Sequence, residues 1–151
     1  YVCGLRNRAY IKYHSATPEA VERLERRLTE PSLRTVFYDM LRELGFPVPQ
    51  DTSLEALDGS AESADQLFSA LLPLYQDPEK HLGLNLLAES LVSLDEWLGL
   101  WRVHHVRVVE RVIGHKRGTG GSSGVGYLKS TTSKKAFPLL WELRTRLEVS
   151  E

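Results

Sequence analysis

Apolar residues recur along this chain at the spacing of an α-helix, and the longest such run lies in its second half. Successive members are four, three, four, three, four, three and four residues apart: Leu87, Leu91, Leu94, Leu98, Trp101, His105, Val108 and Val112. That spacing places all of them on one side of a helix. With Asp77-Pro78 as a start signal and Gly114 as a stop, it predicts a helix over 78–113 that lays one continuous seam against its neighbours.

Proline, glycine and small polar residues divide the rest of the chain into further helical segments. Helix starts are predicted at Thr17-Pro18, Pro31-Ser32 and Phe137-Pro138, a stop at Gly45, and another helix over about 61–75. Residues 1–13 resemble the end of a helix, 125–129 have mixed character, and 130–133 form a polar connector. The pattern predicts an all-α helical bundle, with residues 1–151 in a single domain.

Composition narrows the class of protein without naming a function. With 42% hydrophobic and 26% charged residues, the chain has the balance of an ordinary globular protein, and no apolar run reaches the roughly 20 residues of a membrane span. Its 19 basic and 20 acidic residues give a net charge of −1, which argues against nucleic acid or acidic lipid as a partner. The single cysteine, Cys3, and the lack of a recognisable signal peptide favour a cytoplasmic location.

His105 is the first candidate for chemistry, because every other member of the long stripe is apolar. A neutral imidazole that enters an apolar slot from a helix is the usual proximal ligand of haem iron, and Trp101, one turn earlier, is placed to pack beside a macrocycle. The alternative is a core histidine that is satisfied by a hydrogen bond, with Trp101 as plain core. His104 points about 100° away.

A glycine-rich loop, 118–124, follows the predicted helix and is the second candidate. Four glycines in seven residues allow several backbone N–H groups to converge on an anion, with Thr119, Ser122 and Ser123 as hydroxyl partners. The loop lacks the glycine pattern of a dinucleotide fingerprint and the Gly-Lys-Ser/Thr of a P-loop. A carboxylate is therefore the expected ligand if the loop binds an anion. The alternative is a connecting loop that binds no ligand.

The remaining histidines and the cysteine carry weaker signals. His14, His81 and His115 have no metal-ligand spacing to one another, and surface positions are expected for them. Cys3 has no flanking feature that supports a role as a thiolate ligand.

Two segments make the chain recognisable as a whole. Residues 101–106, with Trp101 and His105, and residues 109–128, with the glycine-rich loop, resemble the signature of the tryptophan 2,3-dioxygenase family. Residues 137–145 resemble the closing segment of that family. The signature covers nearly thirty residues at fixed spacing and is highly specific.

The resemblance implies an all-helical homotetramer with haem b that uses O₂ to convert L-tryptophan to N-formylkynurenine in the kynurenine pathway. On the family's pattern His105 is the proximal iron ligand, with Trp101 beside the haem. Thr119 contacts the amino-acid group of the substrate, and Gly118 and Gly120 shape its loop. His105 and Thr119 are fourteen residues apart, as in the family.

The resemblance also implies that part of the active site lies outside this chain. The family's distal histidine and phenylalanine, and the arginine that binds the substrate carboxylate, belong to an N-terminal half that precedes the segment resembled by residues 1–14. We therefore expect no catalytic residue of the distal pocket in this chain. We expect the N-terminal half to be present in the same assembly as a second polypeptide, either a separate chain or the product of cleavage.

Two other functions remain open at this point. One is a relative that acts as a monooxygenase or dioxygenase on a substituted indole or on tyrosine. The other is a non-catalytic helical interaction domain without haem. The glycine-rich loop argues against the second, because such a loop does not contribute to helix packing.

Overall fold

The computed structural model describes residues 17–53, 61–114, 116 and 124–147, and within these ranges it contains helices and turns but no strand. The helices are α1 (Pro18–Thr29), α2 (Leu33–Glu43), α3 (Ala61–Leu71), α4 (Pro73–Gln76), α5 (Leu82–Ile113), α6 (Val125–Thr131) and α7 (Pro138–Leu147). The all-α prediction is confirmed. None of these helices combines the length and the apolar character needed to cross a membrane.

The predicted starts of α1 and α2 carry the expected caps. The Thr17 hydroxyl accepts a hydrogen bond from the Ala20 N–H (3.3 Å), and the Ser32 hydroxyl accepts one from the Thr35 N–H (3.1 Å). Each side chain satisfies an amide that the first turn of a helix leaves without a partner.

Gly45 ends α2 as predicted. Its φ of +86° suits glycine, and its N–H donates to the carbonyl of Arg42 while the N–H of Phe46 donates to the carbonyl of Leu41. This pair of bonds is the Schellman arrangement, which satisfies the last carbonyls of a helix.

Two boundaries differ from the prediction. Pro73 has no N–H, so the helix predicted over 61–75 is divided into α3 and α4. The long helix begins at Leu82 and not at Pro78, and residues 78–81 form a turn. The Asp77 carboxylate still accepts a hydrogen bond from the Lys80 N–H (3.3 Å), the contact expected of the predicted N-cap. Residues 125–131, predicted only to have mixed character, form the helix α6.

The chain divides into two compact units. The first comprises Tyr1–Pro31 and Gly99–Lys134, and the second comprises Ser32–Leu98 and Lys135–Glu151. The second unit holds a hydrophobic core drawn from α2, α3, α4, the first part of α5, and α7. Its largest fully buried side chains are Tyr38, Phe137, Leu41, Leu67, Leu71, Leu74, Leu140 and Leu143.

Aromatic rings form part of this core. The rings of Phe37 and Phe137 meet edge to face at a centroid distance of 6.1 Å, the geometry that aromatic pairs favour. Burial raises the pKa of Tyr38 to about 12, and burial together with the nearby Glu89 carboxylate raises the pKa of Tyr75 above its usual range. Both phenols therefore stay neutral at ordinary pH.

The seam predicted along α5 is not buried within this chain. Leu91 is 6% exposed, but Leu98, Trp101 and Val112 are 37%, 60% and 75% exposed. The inward face in the second unit is formed by Ala88, Leu91, Val92 and Asp95. At 100° per residue this face lies roughly 80° around the helix from the predicted seam, so apolar spacing alone gave the wrong side.

Candidate functional site

His105 and Trp101 form a stacked aromatic pair on the last part of α5. Their ring centroids are 5.0 Å apart and their planes differ by 5°. The pair arises from helix geometry, because residues four apart lie one above the other on the same side. Trp101 is 60% exposed and His105 is partly exposed, so neither ring belongs to the buried core of the described residues.

The imidazole of His105 forms no hydrogen bond with any residue that the structure describes. A buried histidine that served only the core would need such a partner. The apolar side chains of Val108 and Val112, 59% and 75% exposed, follow His105 along the same side of α5. The imidazole thus lies at the edge of an open apolar surface.

The described residues contain no group of three His, Cys, Asp or Glu side chains that could hold a metal ion. An iron porphyrin needs only one or two axial ligands from the protein, since the macrocycle supplies the others. A single imidazole on an apolar helix surface is compatible with that kind of ligation.

The glycine-rich loop lies largely outside the described residues, and Gly118, Thr119 and Gly120 are among those not described. Its two flanks are described. Gly114 ends α5 with φ +59°, and its N–H donates to the Glu110 carbonyl (2.9 Å). Gly124 precedes α6 with φ +60° and ψ −118°, a conformation open to glycine but strained for other residues.

The segment after the loop is attached to α5 by two polar contacts. The Lys129 ammonium of α6 donates to the Glu110 carboxylate (2.9 Å), and the Arg102 guanidinium donates to the backbone carbonyl of Lys134. No motif in the sequence indicates these contacts. Their residue types are ordinary for exposed helix faces, so only the return of the chain after the loop brings them together.

Asp95 also has a role that the sequence pattern did not predict. Its carboxylate is buried, with the residue 4% exposed, and it accepts hydrogen bonds from the N–H groups of Ala136 (2.9 Å) and Phe137 (3.1 Å) and from the indole N–H of Trp141 (3.2 Å). A carboxylate at this position caps the start of α7 and complements its helix dipole. The available signal was an acidic residue within an apolar stretch of α5.

Comparison with known proteins identifies the chain. Residues 61–147, which include α3 to α7 and the glycine-rich loop, match the tryptophan 2,3-dioxygenase family. The chain belongs to the tryptophan 2,3-dioxygenase family. Similar proteins include tryptophan 2,3-dioxygenases of Caulobacter vibrioides, 42% identical, and Bacillus anthracis, 40% identical; 97% of this chain is covered in each comparison.

The same comparisons show how much of a family member is present. The chain covers 56% of the Caulobacter protein and 53% of the Bacillus anthracis protein. A tryptophan 2,3-dioxygenase of a Bradyrhizobium species, 38% identical, is covered to 53%. The chain therefore spans about half the length of the curated relatives that it matches.

Proposed function

We propose that this chain is the haem-ligating part of a dioxygenase that inserts O₂ across the indole 2,3 bond of L-tryptophan to give N-formylkynurenine. One observation carries the proposal. Within the segment that matches the family, the His105 imidazole lies on an open apolar surface of α5, stacked on Trp101 and without a hydrogen bond among the described residues. The reaction places the protein in tryptophan catabolism, through the kynurenine pathway.

The residues present fit haem b as the cofactor. His105 would hold the iron, and Trp101 with the exposed valines of α5 would offer apolar surface to the porphyrin. When bound, the haem supplies the binding and activation of O₂, which side chains alone do not provide. Stacking on Trp101 restricts rotation of the imidazole and thus helps to orient the nitrogen that would face the iron.

The glycine-rich loop would bind the substrate's amino-acid group. Thr119 would offer its hydroxyl, while Gly118 and Gly120 allow backbone N–H groups to approach the substrate closely. An amino acid held at both its polar group and its ring reacts in one orientation, which is what oxidation of a single indole bond requires.

The complete enzyme would include an N-terminal part, in the same polypeptide or as a separate chain, that supplies the distal pocket and the carboxylate-binding arginine. The half-length match supports this part of the proposal, as do the exposed apolar residues of α5, since monomeric proteins rarely expose large apolar patches. We extend the proposal to a homotetramer in the cytoplasm.

Haem titration of the chain tests the ligand assignment. His105→Ala should lose stable haem binding, because the substitution removes an axial ligand of the iron. The expected sign is the loss of the Soret band when one equivalent of haem is added. His104→Ala is the matched control: it removes an exposed imidazole one residue away and should keep the spectrum. Equal spectra for the two variants would contradict the assignment.

Product analysis tests the reaction. The assembly of this chain with its N-terminal part should convert L-tryptophan to a product heavier by two oxygen atoms. A gain of one oxygen would identify a monooxygenase, and turnover only of substituted indoles or tyrosine would change the substrate. If the assembly is well folded but binds no haem, the remaining interpretation is a non-catalytic helical interaction domain.

A further inference from the structure

Two contacts between α5 and the segment after the glycine-rich loop lie before and after the candidate iron ligand along the helix axis. We define the return segment as residues 124–134, which contains Gly124, α6 and the turn that follows it. Glu110 contacts it at Lys129, and Arg102 contacts it at the carbonyl of Lys134. All these residues belong to the first unit.

His105 lies between the two attachment points along α5. Arg102 and Glu110 are eight residues apart, which is about 12 Å along the helix axis at 1.5 Å per residue. Around the axis, Glu110 lies roughly 80° from Arg102 on one side and His105 roughly 60° from it on the other, so His105 and Glu110 are roughly 140° apart. The return segment therefore passes the level of His105 along α5, but it is attached to a neighbouring side of the helix.

The return segment also carries one end of the glycine-rich loop. Val125 of α6 directly follows Gly124, and the backbone of Gly124 is buried in its positive-φ conformation. The other end of the loop leaves α5 itself at Gly114. Because glycines impose little conformation of their own, the placement of the two ends limits where such a loop can lie.

We infer that Arg102 and Glu110 are positioning residues that hold the return segment on α5 and so fix the place of Gly124, where the glycine-rich loop ends, relative to His105. This inference rests on the proposed function, in which the loop binds the substrate and His105 binds the iron. Neither residue needs to touch the substrate or the haem for this role.

The two attachments should differ in strength. Lys129 and Glu110 have side chains that are 55% and 39% exposed, and solvent-exposed ion pairs of this kind change equilibria only a few-fold. Arg102 is partly buried, so water and salt screen its bond to the backbone carbonyl of Lys134 less than they screen the exposed ion pair. Loss of Arg102 should therefore have the larger effect.

Steady-state kinetics of the haem-loaded assembly that contains this chain test the inference. Arg102→Gln should raise the KM for L-tryptophan about tenfold, and Glu110→Lys about threefold, with an unchanged Soret band. Arg111→Gln is the control, because Arg111 is an exposed arginine on the same helix that forms no hydrogen bond or ion pair with the described residues. Equal KM values for Arg102→Gln and Arg111→Gln would overturn the inference.

Charge reversal separates positioning from a general structural effect. Lys129→Glu alone should raise KM as Glu110→Lys does, whereas the double variant Glu110→Lys/Lys129→Glu restores the ion pair with opposite polarity. We expect the double variant to recover the KM to within about twofold of the unsubstituted protein. If the KM of the double variant is raised by as much as the two single substitutions together would raise it, the Glu110–Lys129 contact does not position the return segment.

Hydrogen exchange tests the attachment without any activity. In Arg102→Gln, amides of residues 125–131 should exchange about tenfold faster, while those of α7 keep their rates. Equal exchange rates in the two proteins would refute the attachment whatever the kinetics show. If the unsubstituted assembly shows neither haem nor turnover, the proposed function is refuted, and with it any effect of Arg102 and Glu110 on catalysis. The exchange result would still decide whether these two residues hold the return segment on α5.

Discussion

At the scale of single residues, two polar side chains of α5 have very different surroundings. His105 has an imidazole without a hydrogen bond among the described residues, whereas the Asp95 carboxylate accepts hydrogen bonds from three different donors. Both interrupt the apolar character of the same helix. The difference lies in burial: Asp95 is 4% exposed and fully used, and His105 remains accessible.

Replacement of Asp95 by asparagine should destabilise the second unit. The asparagine amide keeps one acceptor oxygen but loses the negative charge, so at least one of the three N–H donors is left weakly paired in a buried site. Hydrogen bonds to a buried charge are worth about 1.5–3 kcal/mol each, and we expect a loss of about 2 kcal/mol in the free energy of unfolding. Urea denaturation followed by far-ultraviolet circular dichroism measures it.

Asp65→Asn is the matched control for this measurement. Asp65 pairs with Arg146 (2.8 Å), but its side chain is 62% exposed. Exposed pairs contribute at most about 1 kcal/mol and often nothing. If both variants unfold at the same urea concentration, Asp95 does not have the capping role described here.

At the scale of elements, the sequence predicted the helix ends that are determined by residues within one turn of each other. Caps such as Thr17 and Ser32, and the stop at Gly45, act within a single turn, so their positions can be found in the sequence. Helix α6 has only seven residues, too few for its apolar spacing to show a period. The buried side of α5 also escaped prediction, because it depends on which neighbours pack against it.

At the candidate site, too, only contacts between near neighbours in the sequence could be predicted. His105 and Trp101 were predicted as neighbours because a helix fixes residues four apart. The contacts of Arg102 and Asp95 span 32 and 41 to 46 residues, and no local pattern specifies such pairings. The roles predicted for Gly118, Thr119 and Gly120 remain predictions, since these residues lie outside the described part of the chain.

The start of α6 provides a prediction at the level of an element. Gly124→Ala places a Cβ on a backbone with φ +60° and ψ −118°, which L-residues rarely adopt, and we expect a loss of about 2–3 kcal/mol in the free energy of unfolding. Gly99→Ala is the control. Gly99 lies within α5 with open space around an added Cβ, so alanine there should stabilise the protein by about 0.5–1 kcal/mol. Thermal and urea denaturation of both variants would reveal opposite signs, and a tolerated Gly124→Ala would contradict the conformation.

At the scale of the whole molecule, two independent observations support the proposal that this chain works with further protein. The chain spans about half the length of its relatives, and aromatic and aliphatic residues of α5 remain exposed, including Trp97 (70%) and Trp101 (60%). Exposed tryptophans of this size are costly in water, and their burial is among the stronger contributions to protein interfaces. We therefore expect the N-terminal part of the enzyme, or another subunit, to cover part of α5.

Hydroxyl-radical footprinting read by mass spectrometry tests this expectation residue by residue. Oxidation of Trp97 should fall several-fold when the chain is assembled with its N-terminal part, because the partner removes the indole from water. Trp141 is the internal reference: it is partly buried within the second unit and its indole N–H donates to Asp95, so its oxidation should not change. If Trp97 oxidises equally in the chain alone and in the active assembly, that part of α5 is a permanently solvated surface, and the partner must bind elsewhere on the chain.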